Sequence, residues 1–326
     1  MGFAFTFGEP LPVGVRRIAR EQLDGAMLGL ADPSTRGIEA TVHDARKRCK
    51  KVRGLARLVR GAIGPSAFDY VNKPLREAAA ELSPMRDAHA ILATFDRLLA
   101  SHKLVGFGGD FDAVRSELQR RADEASPDVA DGAARIVRAI ELVWRARDAS
   151  QEWRLHDRRV LERGLTRIYG RGRRAMVASR FDGNVESRHE WRKREKDLWY
   201  ATRLLVDAAP SVLTGLQARL DELAEALGDD HDLAVLSELL RSQPDAFGGP
   251  EADRAAALAD STAGDLQSRA YRLGATLYAE KPTTYGRRVG GYWRLWHDLG
   301  PERQVGAIDV LNGASEPSVE RSVDAA

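Results

Sequence analysis

Between residues 42 and 59 the apolar positions Val42, Ala45, Cys49, Val52, Ala56 and Val59 recur at steps of three and four, which places them on one stripe of an α-helix. The same spacing runs through 85–99, 111–123, 133–148, 158–180, 190–206, 213–227, 231–240 and 252–280, while alternating β-branched runs are scarce. The pattern therefore predicts an all-α fold. Glycine and proline gather at GAIGPS (61–66), VGFGG (105–109), ASPD (125–128) and QPDAFGGP (243–250), and these are the expected breaks between helices. From residue 304 to 326 the periodicity fades and small or polar residues dominate, so a mobile C-terminal tail is expected there.

A polar stripe lies beside the first apolar one. His43, Arg46, Lys47, Lys50, Arg53 and Arg57 share a neighbouring face, and the segment HDARKRCK that carries most of them returns 146 residues later as HEWRKREK. At the same offset Arg57 and Leu58 match Arg203 and Leu204, and further on SPMRDAHAIL is matched by GDDHDLAVL. Motifs repeated in the same order suggest an internal duplication, with a first half of about 10–150 and a second of about 151–303. A pseudo-twofold arrangement of two helical bundles is therefore expected, which would bring the two basic stripes together across the axis.

Charge changes the picture more through its distribution than through its sum. The net value is only +2, yet residues 43–60 hold eight Lys or Arg against one acid, and residues 207–265 hold thirteen acids against three Arg. Such segregation lets a nearly neutral chain present a strongly positive surface to an anion. No apolar run approaches the roughly 18 residues that a membrane-spanning helix needs. The opening MGFAFTFGEPLP lacks a basic start followed by a long apolar stretch, and the single Cys49 allows no internal disulfide. Together these point to the cytoplasm and to no membrane partner.

Both repeated histidines follow what looks like a capping box, Thr41-Val42-His43-Asp44 and Ser187-Arg188-His189-Glu190, which would set each in a first helical turn. The alternative for the first copy is a helix that begins earlier, near Asp32-Pro33. In either case Arg46, Lys47, Lys50 and Arg57, with Arg192, Lys193, Lys196 and Arg203, are the anion-binding candidates. Each set spans roughly 16 Å at ~1.5 Å per residue, which suits an extended polyanion better than one phosphate. Charge runs are usually solvated faces, and that is the expectation for Arg48, Lys51 and Arg60. His231, after GDD, reads as a helix-start residue that either joins the anion site or is a satisfied surface group.

Two further signals favour other chemistry. His-Asp pairs at His43, His156, His231 and His297 invite a metal-dependent phosphohydrolase, although nothing in the sequence brings the pairs together. YGRGRR (169–174) and EKPTTYGRRVGGYWRLW (280–296) interleave cations with aromatics, as nucleic-acid binders do. For Tyr292, Trp293 and Trp296, packing on the bundle at helical spacing is the simpler reading.

Taken together, HDARKRCKKVRGLARLV, HEWRKREKDLWYATRLL, the RDAHAIL and GDDHDLAVL pair, YGRGRRAM and LYAEKPTTYGRRVGGYWRLW resemble the CHAD family, the conserved histidine α-helical domain, over about residues 10–300. The resemblance implies one all-α domain over 1–303 built of two pseudo-symmetric four-helix-bundle-like halves, a basic central cavity that binds inorganic polyphosphate without a cofactor, and association with polyphosphate granules and proteins on them. Carried over by position, it implicates His43, Arg46, Lys50 and Arg57 with His189, Arg192, Lys196 and Arg203, and adds His231, Lys281 and Arg288 as lining candidates; Arg171 and Arg174 of YGRGRR join the expected set. His89 departs from the family's pattern after the first Arg-Asp, and the chain leaves no room for the triphosphate-tunnel domain that many relatives carry. Polyphosphate has dense charge and no bases, so it calls for Arg and Lys contacts and no stacking surface.

Overall fold

The computed structural model describes residues 2–35, 37–83, 87–102, 111–124, 129–156 and 159–311. Among these the regular structure is helical throughout: α1 (Leu11–Ala31), α2 (Ile38–Glu81), α3 (Asp87–Ser101), α4 (Asp112–Glu124), α5 (Val129–Gln151), α6 (Val160–Asp182), α7 (Val185–Leu205), α8 (Pro210–Ser242), α9 (Pro250–Leu277) and α10 (Pro282–Leu311), with short 3-10 turns between some of them. No helix among the described residues is long and apolar enough to cross a membrane. The all-α expectation holds.

The stripe from Val42 to Val59 is buried along its whole length, as its spacing requires. The GAIGPS break is a bend and not an end. Gly64 takes φ 81°, a conformation that side chains resist, and Pro65 cannot supply the next amide N–H, yet the chain resumes helical turns and continues as α2 to Glu81. Two other expected boundaries shift. The stretches 213–227 and 231–240 form one continuous α8, which places His231 inside a helix and not at its start. α10 continues through residues 304–311, past the point where a tail was expected, and 312–326 lie outside the described residues.

The buried residues divide into two cores that do not follow the boundary near residue 150. The larger core draws on α1, α2 and α5 from the first half and on α6, α7, α10 and the start of α8 from the second. The smaller one joins Phe95 and Leu98 of α3 and Leu118 of α4 to Leu236 and Leu240 of α8 and the alanine face of α9. Each core thus takes helices from both halves, in place of one bundle per half. Within the larger core α2 packs directly on α7, which puts the two basic segments on neighbouring helices.

Candidate anion-binding site

Local sequence fixes where the two basic helices begin. α6 ends at Gly183, whose left-handed conformation (φ 64°) lets its N–H reach Ser179 O, and Asn184 then caps α7 by accepting the Ser187 N–H at 2.8 Å. Asn184, and not Ser187, is therefore the cap, and His189 is the fifth residue of α7. His43 is the sixth residue of α2, which starts at Ile38, before the capping-box position but after Asp32-Pro33, where Pro33–Thr35 form a separate 3-10 turn. Neither histidine occupies a first turn. Arg188 is instead a structural anchor, its guanidinium buried against Asp230 of α8 at 3.0 Å, with Asp230 also accepting from Gln267 of α9.

The helices α2 and α7 cross where Gly54 meets Tyr200. A Cβ on Gly54 would stand 2.7 Å from that of Tyr200, so only glycine permits this approach. Three residues beyond Gly54, Arg57 donates to Asp197, three residues before Tyr200, at 2.9 Å. The helices therefore pass one another in opposite senses. Gly54 and Tyr200 are also 146 residues apart, so the crossing pairs equivalent positions of the two repeated segments.

Beside this crossing opens a cleft of about 740 Å³, within the size range of ligand sites. His43, Arg46, Lys47, Lys50, Arg53, Arg57 and Arg76 line it from α2, and His189, Glu190, Arg192, Lys193, Arg194, Lys196, Asp197 and Tyr200 from α7. Ten Lys or Arg face two carboxylates, an excess of eight positive charges. Both carboxylates are engaged. Glu190 holds Arg194 one turn along α7 and Lys193 more loosely, while Asp197 binds Arg57 and, at 3.3 Å, Arg194. Neutral groups steady two of the other cations: Ser83 Oγ accepts from Arg46 at 2.6 Å, and Asn72 Oδ1 from Arg53 at 3.1 Å.

The electrostatics reflect crowding of like charge. Burial, reinforced by Arg57, lowers the Arg53 guanidinium to about 10. Burial pushes Asp197 up against the pull of Arg57 and Arg194. His189, buried and beside His231, Lys193 and Arg192, is lowered to about 4, and His231 is lowered by burial and then by Arg192. Both imidazoles are therefore neutral near pH 7 in the unliganded protein. The cleft is prepared for an anion that would neutralise its field.

Of the residues expected from sequence, the cleft gathers His43, Arg46, Lys47, Lys50, Arg53, Arg57, His189, Arg192, Lys193 and Lys196. His231 lies behind it, stacked on His189. Arg171 of α6 is close enough to Arg194, Asp197 and Arg57 to feel their charges, without lining the cleft. Four more expected residues also fall outside its lining. Arg174 and Lys281 are exposed elsewhere, Arg203 stands exposed beyond the crossing, and Arg288 is bound by Glu280 and lies over the rings of Tyr285 and Tyr292. Arg194 and Arg76 were missed. Arg194 is the third cation of the second motif and carried the signal. Arg76 comes into reach only because α2 bends at Gly64 and continues.

The rival signals have structural answers too. Trp293, Trp296 and Tyr285 are core residues, and Tyr169 stacks on Tyr285 at 4.2 Å between ring centres, so these aromatics pack the bundle. Among the described residues no three His, Cys, Asp or Glu side chains converge as metal ligands; His297 pairs locally with Asp298. In comparison with known families, the chain matches the CHAD domain over residues 18–241. A comparison with curated proteins finds no match.

Proposed function

Because the chain belongs to the CHAD domain family, we propose that it binds inorganic polyphosphate in the cleft between α2 and α7, without hydrolysing it, and that this binding takes it to polyphosphate granules in the cytoplasm. The observation that carries the reading is the cleft's charge, ten cations against two engaged carboxylates. A polyphosphate presents one negative charge on nearly every phosphate, and Arg and Lys match it through charge-assisted hydrogen bonds. Nucleic acid would need stacking partners as well, and the aromatics in the basic C-terminal motif are committed to the core. Among the described residues, Tyr200 is the only Phe, Tyr or Trp that lines the cleft, and it is itself pressed against Gly54.

The test is fluorescence anisotropy of labelled long-chain polyphosphate with the full chain across a salt series, with RNA as competitor and free phosphate assayed alongside. By analogy with nucleic-acid phosphates, each neutralised charge adds ~0.7 to 0.9 to the slope of log affinity against log salt. Six to eight contacts would then give a slope of roughly 4 to 7. Displacement by RNA at equal charge would favour a nucleic-acid site. Phosphate release that requires added divalent metal would favour a hydrolase.

A further inference from the structure

The crossing of α2 and α7 pairs equivalent positions, yet its two flanks differ in charge. On one flank Arg57 meets Asp197 in a salt bridge. At the offset of 146 the counterpart of Arg57 is Arg203, and the counterpart of Asp197 is Lys51. Where the first flank holds a cation and an anion, the second therefore holds two cations. Neither Lys51 nor Arg203 has a carboxylate partner among the described residues. The acid nearest in sequence, Asp44, is bound by Arg48 at 2.7 Å. Lys51 is half-buried, with its Nζ 5.5 Å from the centre of the Phe3 ring, and Arg203 is exposed.

This arrangement is costly as it stands. Burial, then the charges of Lys47 and Arg48 and, more weakly, Arg203, press the Lys51 ammonium towards its neutral form, with Asp44 pulling only partly the other way. A surface that merely needed solubility would have no reason to hold two cations where its own counterpart holds an ion pair. A site that awaits an anion would. We propose that Lys51 and Arg203 form a discrete phosphate subsite, in which one phosphate group of the bound chain stands where the Asp197 carboxylate stands on the opposite flank. The inference rests on the polyphosphate reading of the cleft and deepens it. The ligand's path is asymmetric: it leaves the cleft over the Lys51 flank and is closed off at the Arg57–Asp197 flank.

The experiment compares wild type with Lys51→Asp, Arg203→Gln and, as a cleft control, Arg46→Gln, using labelled long-chain polyphosphate across a salt series. Lys51→Asp supplies the missing carboxylate and occupies Arg203, so two contacts are lost and the salt slope falls by ~1.5; Arg203→Gln loses one contact and ~0.8. Without ligand, Lys51→Asp keeps or raises Tm, because an ion pair replaces a repulsion. If both flank variants keep the wild-type affinity and slope while Arg46→Gln weakens binding, the subsite is refuted and the cleft reading stands. If wild type itself fails to bind polyphosphate, both fall together.

Discussion

The imidazoles of His189 on α7 and His231 on α8 are stacked, with 4.4 Å between ring centres and 30° between planes, and the Nδ1 of each is buried with no hydrogen-bond partner among the described residues. Burial and the surrounding cations keep both rings neutral, His189 down to about 4 against an ordinary value near 6.5. The unfolded chain therefore binds more protons than the folded one between those values, so this contribution to stability is complete above about pH 6.5 and lost as pH falls towards 4. Without ligand, wild type should lose a few degrees of Tm relative to His189→Gln between pH 7 and 5, a difference in which the contributions of other titrating groups cancel. If the cleft binds polyphosphate as proposed, the bound chain would reverse the sign, because its charge favours the imidazolium. Its affinity should rise over the same range, with proton uptake that calorimetry in buffers of different ionisation enthalpy would detect.

Glu195 presents the opposite case. It is fully buried on α7, both carboxylate oxygens lack hydrogen-bond partners among the described residues, and burial raises its pKa to about 8. Its counterpart in the first repeated segment is Cys49, a buried apolar position. A carboxyl with a raised folded value contributes stability that is fully present below its unfolded value near 4.5 and lost as pH rises to about 8. Glu195→Met removes the unpartnered oxygens at similar volume. It should stabilise the protein by ~1–3 kcal/mol in urea unfolding at pH 8, with a Tm advantage over wild type that shrinks as pH falls from 8 to 5.

The cleft also separates expected site residues by location. Arg46 and Arg192 line it from the two helices, whereas Arg174 is exposed outside it. Reversing charge at either lining position removes a charge-assisted contact and adds a repulsion, so Arg46→Glu and Arg192→Glu should each weaken polyphosphate binding by about tenfold or more. Arg174→Glu should change it less than about twofold. Anisotropy titrations at one fixed salt concentration suffice, and an Arg174 effect as large as the other two would show that binding depends on net charge and not on the cleft.

Much of this arrangement was legible because periodicity speaks for whole helices. Val42 to Val59 announced a buried stripe, the matching cations announced the cleft helices, and ten of the expected residues line it. Signals that depend on helix ends were less faithful. Ser187 resembles a cap, but the left-handed Gly183 lets the chain turn one step earlier, and Asn184 takes that role. The Gly-Asp-Asp before His231 resembles a start, yet the apolar positions before it bury in the larger core and those after it in the smaller one, and α8 runs straight through between them. Arg76 was invisible for a third reason, since no spacing rule tells a bend at Gly64-Pro65 from a termination. The C-terminal cations misled because local partners decide their role: Glu280 holds Arg288 eight residues away.

The crossing itself offers the most direct test of how the cleft is built. Gly54 has no Cβ because the Cβ of Tyr200 occupies that place, 2.7 Å away, and the neighbouring Arg57–Asp197 pair depends on the helices staying that close. In the middle of a helix, alanine would ordinarily be favoured over glycine by roughly 0.5–1 kcal/mol. At position 54 the sign reverses, because backbone-anchored atoms cannot move aside as the tip of a long side chain can. Gly54→Ala should therefore cost ~1–3 kcal/mol by overpacking and weaken polyphosphate binding as the two lined helices separate. Removing the opposing Cβ should restore room: in Gly54→Ala/Tyr200→Gly the affinity should recover relative to Gly54→Ala alone, even though the lost tyrosine lowers stability further. A double variant that binds no better than Gly54→Ala would mean that the approach of the helices does not set the spacing of their cations.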